Sequence, residues 1–174
     1  MDINANIGTN GGTGNILLTA GDTVPQANVT VVSAAGTGNV TVASGEDFTD
    51  GTLNQDGNIG AGGGDIVMGG TATVQSDEGN ILMDAADDFI VGIVNADGDG
   101  DGVRGDVTTF SRAGSTLDAN GSALNISANH LTMTAFNGIG VLGDPIETDA
   151  NTITTTTTAG SVNISNLGST LINL

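Results

Sequence analysis

Short runs of alternating apolar residues, each introduced by Gly and then Asn or Asp, recur along this chain. They read Gly14-Asn15-Ile16-Leu17-Leu18, Gly38-Asn39-Val40-Thr41-Val42, Gly64-Asp65-Ile66-Val67-Met68, Gly79-Asn80-Ile81-Leu82-Met83 and Gly105-Asp106-Val107-Thr108-Thr109. Gly160-Ser161-Val162-Asn163-Ile164 repeats the pattern with Ser in second place. Alternation with period two puts successive side chains on opposite faces of a strand. The pattern predicts strands at 15–20, 27–33, 38–43, 65–68, 72–75, 80–84, 89–94, 106–110, 122–128, 131–136, 151–158 and 161–165, and almost no helix. Turn pairs lie between the runs: Asn10-Gly11, Asp50-Gly51, Asp56-Gly57, Asn120-Gly121 and Asn137-Gly138. Asn-Gly and Asp-Gly favour the positive φ that tight turns need. Asn129-His130 reads as a further turn, between the strands at 122–128 and 131–136.

A phrase that returns every twenty-odd residues is the mark of a repeat architecture, in which each unit buries its apolar face on its neighbours. The expected fold is all-β: a right-handed parallel β-helix, or β-solenoid, of roughly seven turns. The alternative is an antiparallel β-sandwich. The expected organisation is one β-solenoid segment over residues 1–174, part of a longer repeat array, with an acidic loop insertion at 95–106.

Composition sharpens this. Leu, Ile, Val and Phe total 43 of 174 residues, enough for a packed core, while Trp and Tyr are absent and Gly numbers 29. A thin core of small aliphatic layers suits such a chain better than a globule built on aromatic volume. The net charge is −18, with Arg104 and Arg112 the only Lys or Arg residues. Nucleic-acid binding is excluded by the missing basic surface. No apolar run is long enough to span a membrane, so membrane insertion is not expected. Uncompensated carboxylates repel one another, and divalent cations are the natural remedy. There are no cysteines to form disulfides or metal sites.

The richest candidate chemistry is Asn95-Ala96-Asp97-Gly98-Asp99-Gly100-Asp101-Gly102-Val103-Arg104-Gly105-Asp106. Carboxylates on alternate residues of a Gly-rich loop can converge on a hard cation. Asn95, Asp97 and Asp99 fill positions 1, 3 and 5 of a calcium-loop register, with Gly100 at 6 and Asp106 at 12. A second register starts at Asp97 and adds Asp101, but places Thr108 at 12. The expected metal ligands are therefore Asn95, Asp97, Asp99, Asp101 and Asp106, and the expected ion is Ca2+. The competing reading is a solvated acidic loop. Glu46-Asp47, Asp77-Glu78 and Asp87-Asp88 are read as acidic corners at strand ends. His130 has no metal-binding partner in the sequence and is read as a turn residue. Thr152, Thr154, Thr156 and Thr158 share one face of a strand. Paired carboxylates would suit glycoside hydrolysis, but no Trp or Tyr is present to line a sugar cleft. The chain is not expected to be an enzyme.

Asn80-Ile81-Leu82-Met83-Asp84-Ala85-Ala86-Asp87-Asp88-Phe89 resembles the repeats of large bacterial surface proteins of the filamentous-haemagglutinin type. Gly138-Ile139-Gly140-Val141-Leu142-Gly143-Asp144-Pro145-Ile146-Glu147-Thr148, followed by Gly160-Ser161-Val162-Asn163-Ile164-Ser165-Asn166, resembles a segment common in giant repetitive exoproteins of that class. The resemblance covers most of the chain and carries no catalytic residues. It implies a parallel β-helix in a secreted fibre, surface layer or adhesin stalk, located outside the cell or at its surface. Self-association, head-to-tail or lateral, is the expected partnership, because unpaired strand edges invite it. The alternative is an adhesin module that binds a glycan or a cell-surface receptor through its corner loops.

Overall fold

A computed structural model describes residues 1–9, 11, 13–46, 64–167 and 171–173. Seventeen strands and no helix are found among them. In chain order they are β1 (Ile7–Gly8), β2 (Ile16–Ala20), β3 (Val24–Gln26), β4 (Val31–Ala34), β5 (Val40–Ser44), β6 (Ile66–Met68), β7 (Thr73–Ser76), β8 (Ile81–Ala85) and β9 (Phe89–Val91). There follow β10 (Ile93–Asn95), β11 (Val107–Ser111), β12 (Ser115–Asp118), β13 (Ile126–Ala135), β14 (Gly138–Ile139), β15 (Ile146–Thr157), β16 (Ile164–Asn166) and β17 (Leu171–Asn173).

Every pairing between these strands is parallel. Twelve strands form one sheet, whose main path runs β1-β4-β7-β10-β13-β11-β8-β5-β2, with β15, β16 and β17 continuing from β13. Five more form a second sheet in the order β14-β12-β9-β6-β3.

The repeated phrase sets the register. Ile16 lies beside Val40, Val40 beside Ile81, Ile81 beside Val107, Val107 beside Leu131 and Leu131 beside Ile153. All six are buried. In the second sheet Val24, Ile66, Phe89, Thr116 and Ile139 stand in line, all buried. A one-residue slip would turn each of these rows outward, so burial of one face locks the register. Each fully buried Ile, Leu or Val is worth roughly 1.5–3 kcal/mol, which makes the rows the main source of stability.

The structure corrects the expected architecture. The antiparallel sandwich is excluded by the parallel pairing. The regular seven-turn β-solenoid is also overturned, because the two long runs of strands do not remain separate faces. They merge at β13, which pairs with β10 through Ile126–Ser127 and with β11 through Leu131–Ala135. The large sheet folds back there: its main path ends at the consecutive strands β1 and β2, while β16 and β17 end the branch through β15. It thus approaches a closed, barrel-like parallel wrap. The physical reason lies at Asn129-His130. The expected turn is absent, and both residues sit inside the ten-residue β13, with His130 exposed. Twelve-residue β15 pairs along most of that length, from Ile126↔Thr148 to Ala135↔Thr157, and keeps both residues within one strand.

Two further strand expectations shift. The run at 27–33 is broken, since Ala27–Thr30 form a corner in which Val29 takes a φ of 57°. The run at 89–94 is split by Gly92 into β9 and β10. A Cβ at Gly92 would crowd the carbonyl oxygens of Gly69 and Ala72. The turn pairs Asp50-Gly51 and Asp56-Gly57, with Asp47 of the first acidic corner, lie outside the described residues.

Candidate functional site

The Gly-Asn phrase that predicted strands turns out to build two ladders of its own. A side chain at Gly38 would overlap the carbonyl of Gly14, one at Gly79 that of Gly38, and one at Gly105 that of Gly79. Glycine is therefore demanded by close backbone approach, strand after strand. The residue that follows supplies a side-chain oxygen to the next strand. Asn15 Oδ1 accepts from the Asn39 amide at 2.8 Å, Asn39 Oδ1 from Asn80 at 2.8 Å, and Asn80 Oδ1 from Asp106 at 2.9 Å. Asp106 Oδ1 in turn accepts from the His130 amide at 3.2 Å and from Asn129 Nδ2 at 3.3 Å. Asp106 is a rung of this ladder and stands apart from the acidic loop's other carboxylates.

The loop itself leaves β10 at Asn95 and enters β11 at Val107. Its carboxylates fold it locally. Asn95 Oδ1 accepts from the Asp97 amide at 3.1 Å, Asp99 Oδ1 from Asp101 at 3.4 Å, and Asp101 Oδ1 from Val103 at 2.8 Å. These are side-chain turns, in which an acid or amide holds the backbone two residues on. Asp97 Oδ1 also accepts from Gly102 at 3.2 Å. Gly100 and Gly102 take φ values of 75° and 88°.

Arg104 closes the loop against the sheet. Its guanidinium donates to Asp149 Oδ2 at 2.7 Å and to the Asp149 carbonyl at 3.1 Å, and lies 3.6 Å from Asp97 Oδ2. The hydrogen bond to Asp149 raises the Arg104 pKa further above its ordinary value, against the opposing effect of burial. Arg104 thus bridges Asp97 and Asp149 and offsets one of their two negative charges.

Of the five residues expected to bind calcium, the structure gathers two. Asp99 and Asp101 meet Glu78, with carboxylate oxygens from all three within 4.8 Å of one another, all exposed. Asn95 and Asp97 serve the loop's own turns, and Asp106 serves the Asn ladder. The sequence places Glu78 in a strand-end corner, where aligned acidic corners could bind calcium loosely, and outside the loop's own ligand set. Its neighbourhood to the loop is set by pairing, since the Gly98 amide donates to the Ser76 carbonyl at 2.8 Å. No local spacing in the sequence reports that contact. Three oxygens from three exposed carboxylates suit a hard cation that keeps part of its water shell.

Acidic side chains at other corners hold neighbouring backbone amides. Asp77 Oδ2 accepts from the Gly36 amide at 2.7 Å, and Asp88 Oδ1 from Ser115 at 2.7 Å. Asp65 Oδ1 accepts from the Asp88 amide at 3.1 Å. Glu46 is buried, 2% exposed, and its amide donates to the Ala20 carbonyl at 3.0 Å. The Thr face on β15 extends across the sheet, with Thr154 beside Thr132 and Thr156 beside Thr134. No described helix is long and apolar enough to cross a membrane. Comparison with protein-family models, with curated proteins and with solved structures finds no match for this chain.

Proposed function

We propose that this chain is a structural segment of an extracellular bacterial fibre, surface layer or adhesin stalk. It associates with further copies through its strand edges and takes calcium on the outer side of its acidic loop. The observation that carries the reading is the open parallel edge. Among the described residues, β1 and β2 at one end pair on one side only, as do β16 and β17 at the other. Such edges present unpaired N–H and C=O groups that another chain can complete. An edge at one end and a different edge at the other can be completed head-to-tail, by a further copy or by further repeats of a longer parent. The resemblance of the 80–89 and 138–166 segments to haemagglutinin-type exoprotein repeats supports the same setting. Calcium at Glu78, Asp99 and Asp101 would offset part of the −18 net charge that opposes association.

Sedimentation and negative-stain electron microscopy over a range of concentrations, in EDTA and in millimolar calcium, test this. Concentration-dependent filaments, promoted by calcium, are expected. A monomer under every condition would sink the assembly reading.

A second reading has one observation in its favour. The turn Val141–Asp144, held by reciprocal backbone bonds of 3.0 Å, lifts Leu142 to 95% exposure beside a groove lined by Ser115, Leu117, Asn137, Ser161 and Asn163. An apolar tip beside a groove of mixed polar and apolar lining suits a corner loop that docks on a receptor or glycan. A Leu142→Ser chain that loses cell adhesion while keeping its assembly state would favour this reading.

A further inference from the structure

The outer face of the five-stranded sheet is apolar where a solvated sheet face is normally polar. β6 reads Ile66-Val67-Met68 and β9 reads Phe89-Ile90-Val91, with no polar residue in either. Ile66, Met68, Phe89 and Val91 belong to the core, while Val67 and Ile90 face outward and are half-buried. Register sets Pro25 beside Val67, Val67 beside Ile90 and Ile90 beside Leu117, so one apolar row crosses four strands. The outward row of the large sheet is different, since Thr41, Thr108, Thr132 and Thr154 stand in line with Leu17 and Leu82. Strands apolar on both faces are the mark of a parallel sheet covered on both sides, and the usual cover is a helix. Among the described residues no helix supplies that cover.

Carboxylates border the row. Asp65 and Asp88 precede Val67 and Ile90 by two positions and so share their outward face. Asp65 Oδ1 accepts from the Asp88 amide at 3.1 Å, and Asp88 Oδ1 from the Ser115 amide at 2.7 Å. These bonds hold the two acids on neighbouring strands, and no ion pair among the described residues engages either.

The dimensions suit a helix laid along the row. Four strands at a spacing of about 4.8 Å span about 14 Å, which a helix covers in about ten residues. Helix side chains three or four positions apart stand about 5–6 Å from one another, close to that strand spacing. A second copy of this chain does not fit. It offers no helix among its described residues, it has no Lys, and Arg104 and Arg112 are bound to carboxylates of their own. Its net charge of −18 would repel a like surface.

We propose that this face docks a basic amphipathic helix of another protein. The apolar stripe of the helix rests on Pro25, Val67, Ile90 and Leu117, and Lys or Arg side chains on one flank meet Asp65 and Asp88. The face is distinct from the strand edges, and a chain that stays monomeric would still bear it.

The test titrates the full chain into a labelled synthetic peptide of about three helical turns, with Leu at i, i+3 or i+4, and i+7 and with Lys and Arg on one flank. Fluorescence anisotropy should report binding of this peptide. A peptide with Glu in place of each cation, and one with the apolar stripe scrambled, should bind about tenfold more weakly or not at all. Val67→Ser with Ile90→Ser should weaken binding about tenfold. Asp65→Asn with Asp88→Asn, which keeps the acceptor oxygens, should weaken it and flatten its dependence on salt. Leu17→Ser with Leu82→Ser, on the outer face of the large sheet, should leave it unchanged. Absence of binding, equal binding of either control peptide, or equal loss in the Leu17 and Leu82 variant overturns the proposal. Self-association of the wild type that Ile90→Ser abolishes also overturns it, by making a second copy the occupant. Should Val67→Ser with Ile90→Ser fail to fold, the wild-type methyl resonances of Val67 and Ile90 are followed instead. They should shift with the basic peptide, and unmoved resonances overturn the site.

Discussion

Arg112 grips Asp84 with both arms of its fork: Nε donates to Oδ1 and a terminal nitrogen to Oδ2, each at 2.7 Å. Asp84 lies in the middle of β8 with its side chain only 9% exposed, whereas the Arg112 side chain is 45% exposed and passes 4.9 Å from the centre of the Phe110 ring. The bidentate pair makes a carboxylate tolerable on that strand. Arg112→Lys keeps the charge but loses the fork and the stacking, and should cost about 1 kcal/mol. Arg112→Ala leaves Asp84 without its cation and should cost about 2–3 kcal/mol. Denaturant unfolding of the two variants checks the order, and equal losses would mean that charge alone matters there.

Gly105 and Gly100 sit five residues apart and should respond very differently to the same substitution. A methyl group on Gly105 would overlap the Gly79 carbonyl, so Gly105→Ala must push two strands apart. Gly100 has open space around it and pays only for its φ of 75°. Gly100→Ala should cost about 1–2 kcal/mol, and Gly105→Ala clearly more, with weakened hydrogen-exchange protection in β8 and β11. Comparable losses for both would show that the glycine ladder relaxes easily.

Thr109 is one of two buried threonines, with Thr155, in a row that is otherwise apolar. It lies between Met83 and Met133 in register, is fully buried, and its hydroxyl has no partner. Thr109→Val replaces the stranded hydroxyl with a methyl of nearly the same shape. The variant should be about 1–2 kcal/mol more stable, read as a rise in the denaturant midpoint at unchanged slope. A loss of stability would mean that the hydroxyl finds a partner in solution.

Glu147 gives the chain a pH dependence of definite sign. Its carboxyl holds its proton more tightly in the folded protein than in the unfolded chain, chiefly because of burial. Its contribution is complete below the ordinary carboxylate range and is lost as pH rises through the raised folded value. In EDTA, wild type should therefore lose stability relative to Glu147→Gln between acid and neutral pH. The two should converge in acid. Melts of both proteins across that range decide the matter, and parallel curves would remove Glu147 as the source.

Much of the strand content was legible because burial of one face imposes period two. The rows Ile16–Val40–Ile81 and Val107–Leu131–Ile153 can be read almost directly from the phrase. The closure of the sheet could not be read. Asn129-His130 has the composition of a turn, yet the pairing of β13 with β15 on one side and β11 on the other outweighs local preference. β3 and β12 were missed because Val24–Gln26 and Ser115–Asp118 are too short to show a period. The candidate site was half legible. Asp99 and Asp101 are close in sequence, whereas Glu78 reaches them only through strand register. The ladder role of Asp106 was hidden for the same reason, since its partners Asn80 and Asn129 are supplied by neighbouring strands.

The long strand β13 has a consequence for how the molecule would come apart. It is the one strand that touches β10, β11 and β15 together, so removing it divides the large sheet into pieces with no pairing between them. Loosening should begin at the outer strands and travel inward, as the teeth of a zip release toward its slider. A load applied along the chain would peel β1 and β2, or β16 and β17, one at a time and at modest force. The strand at the junction would yield last, and all its partners with it.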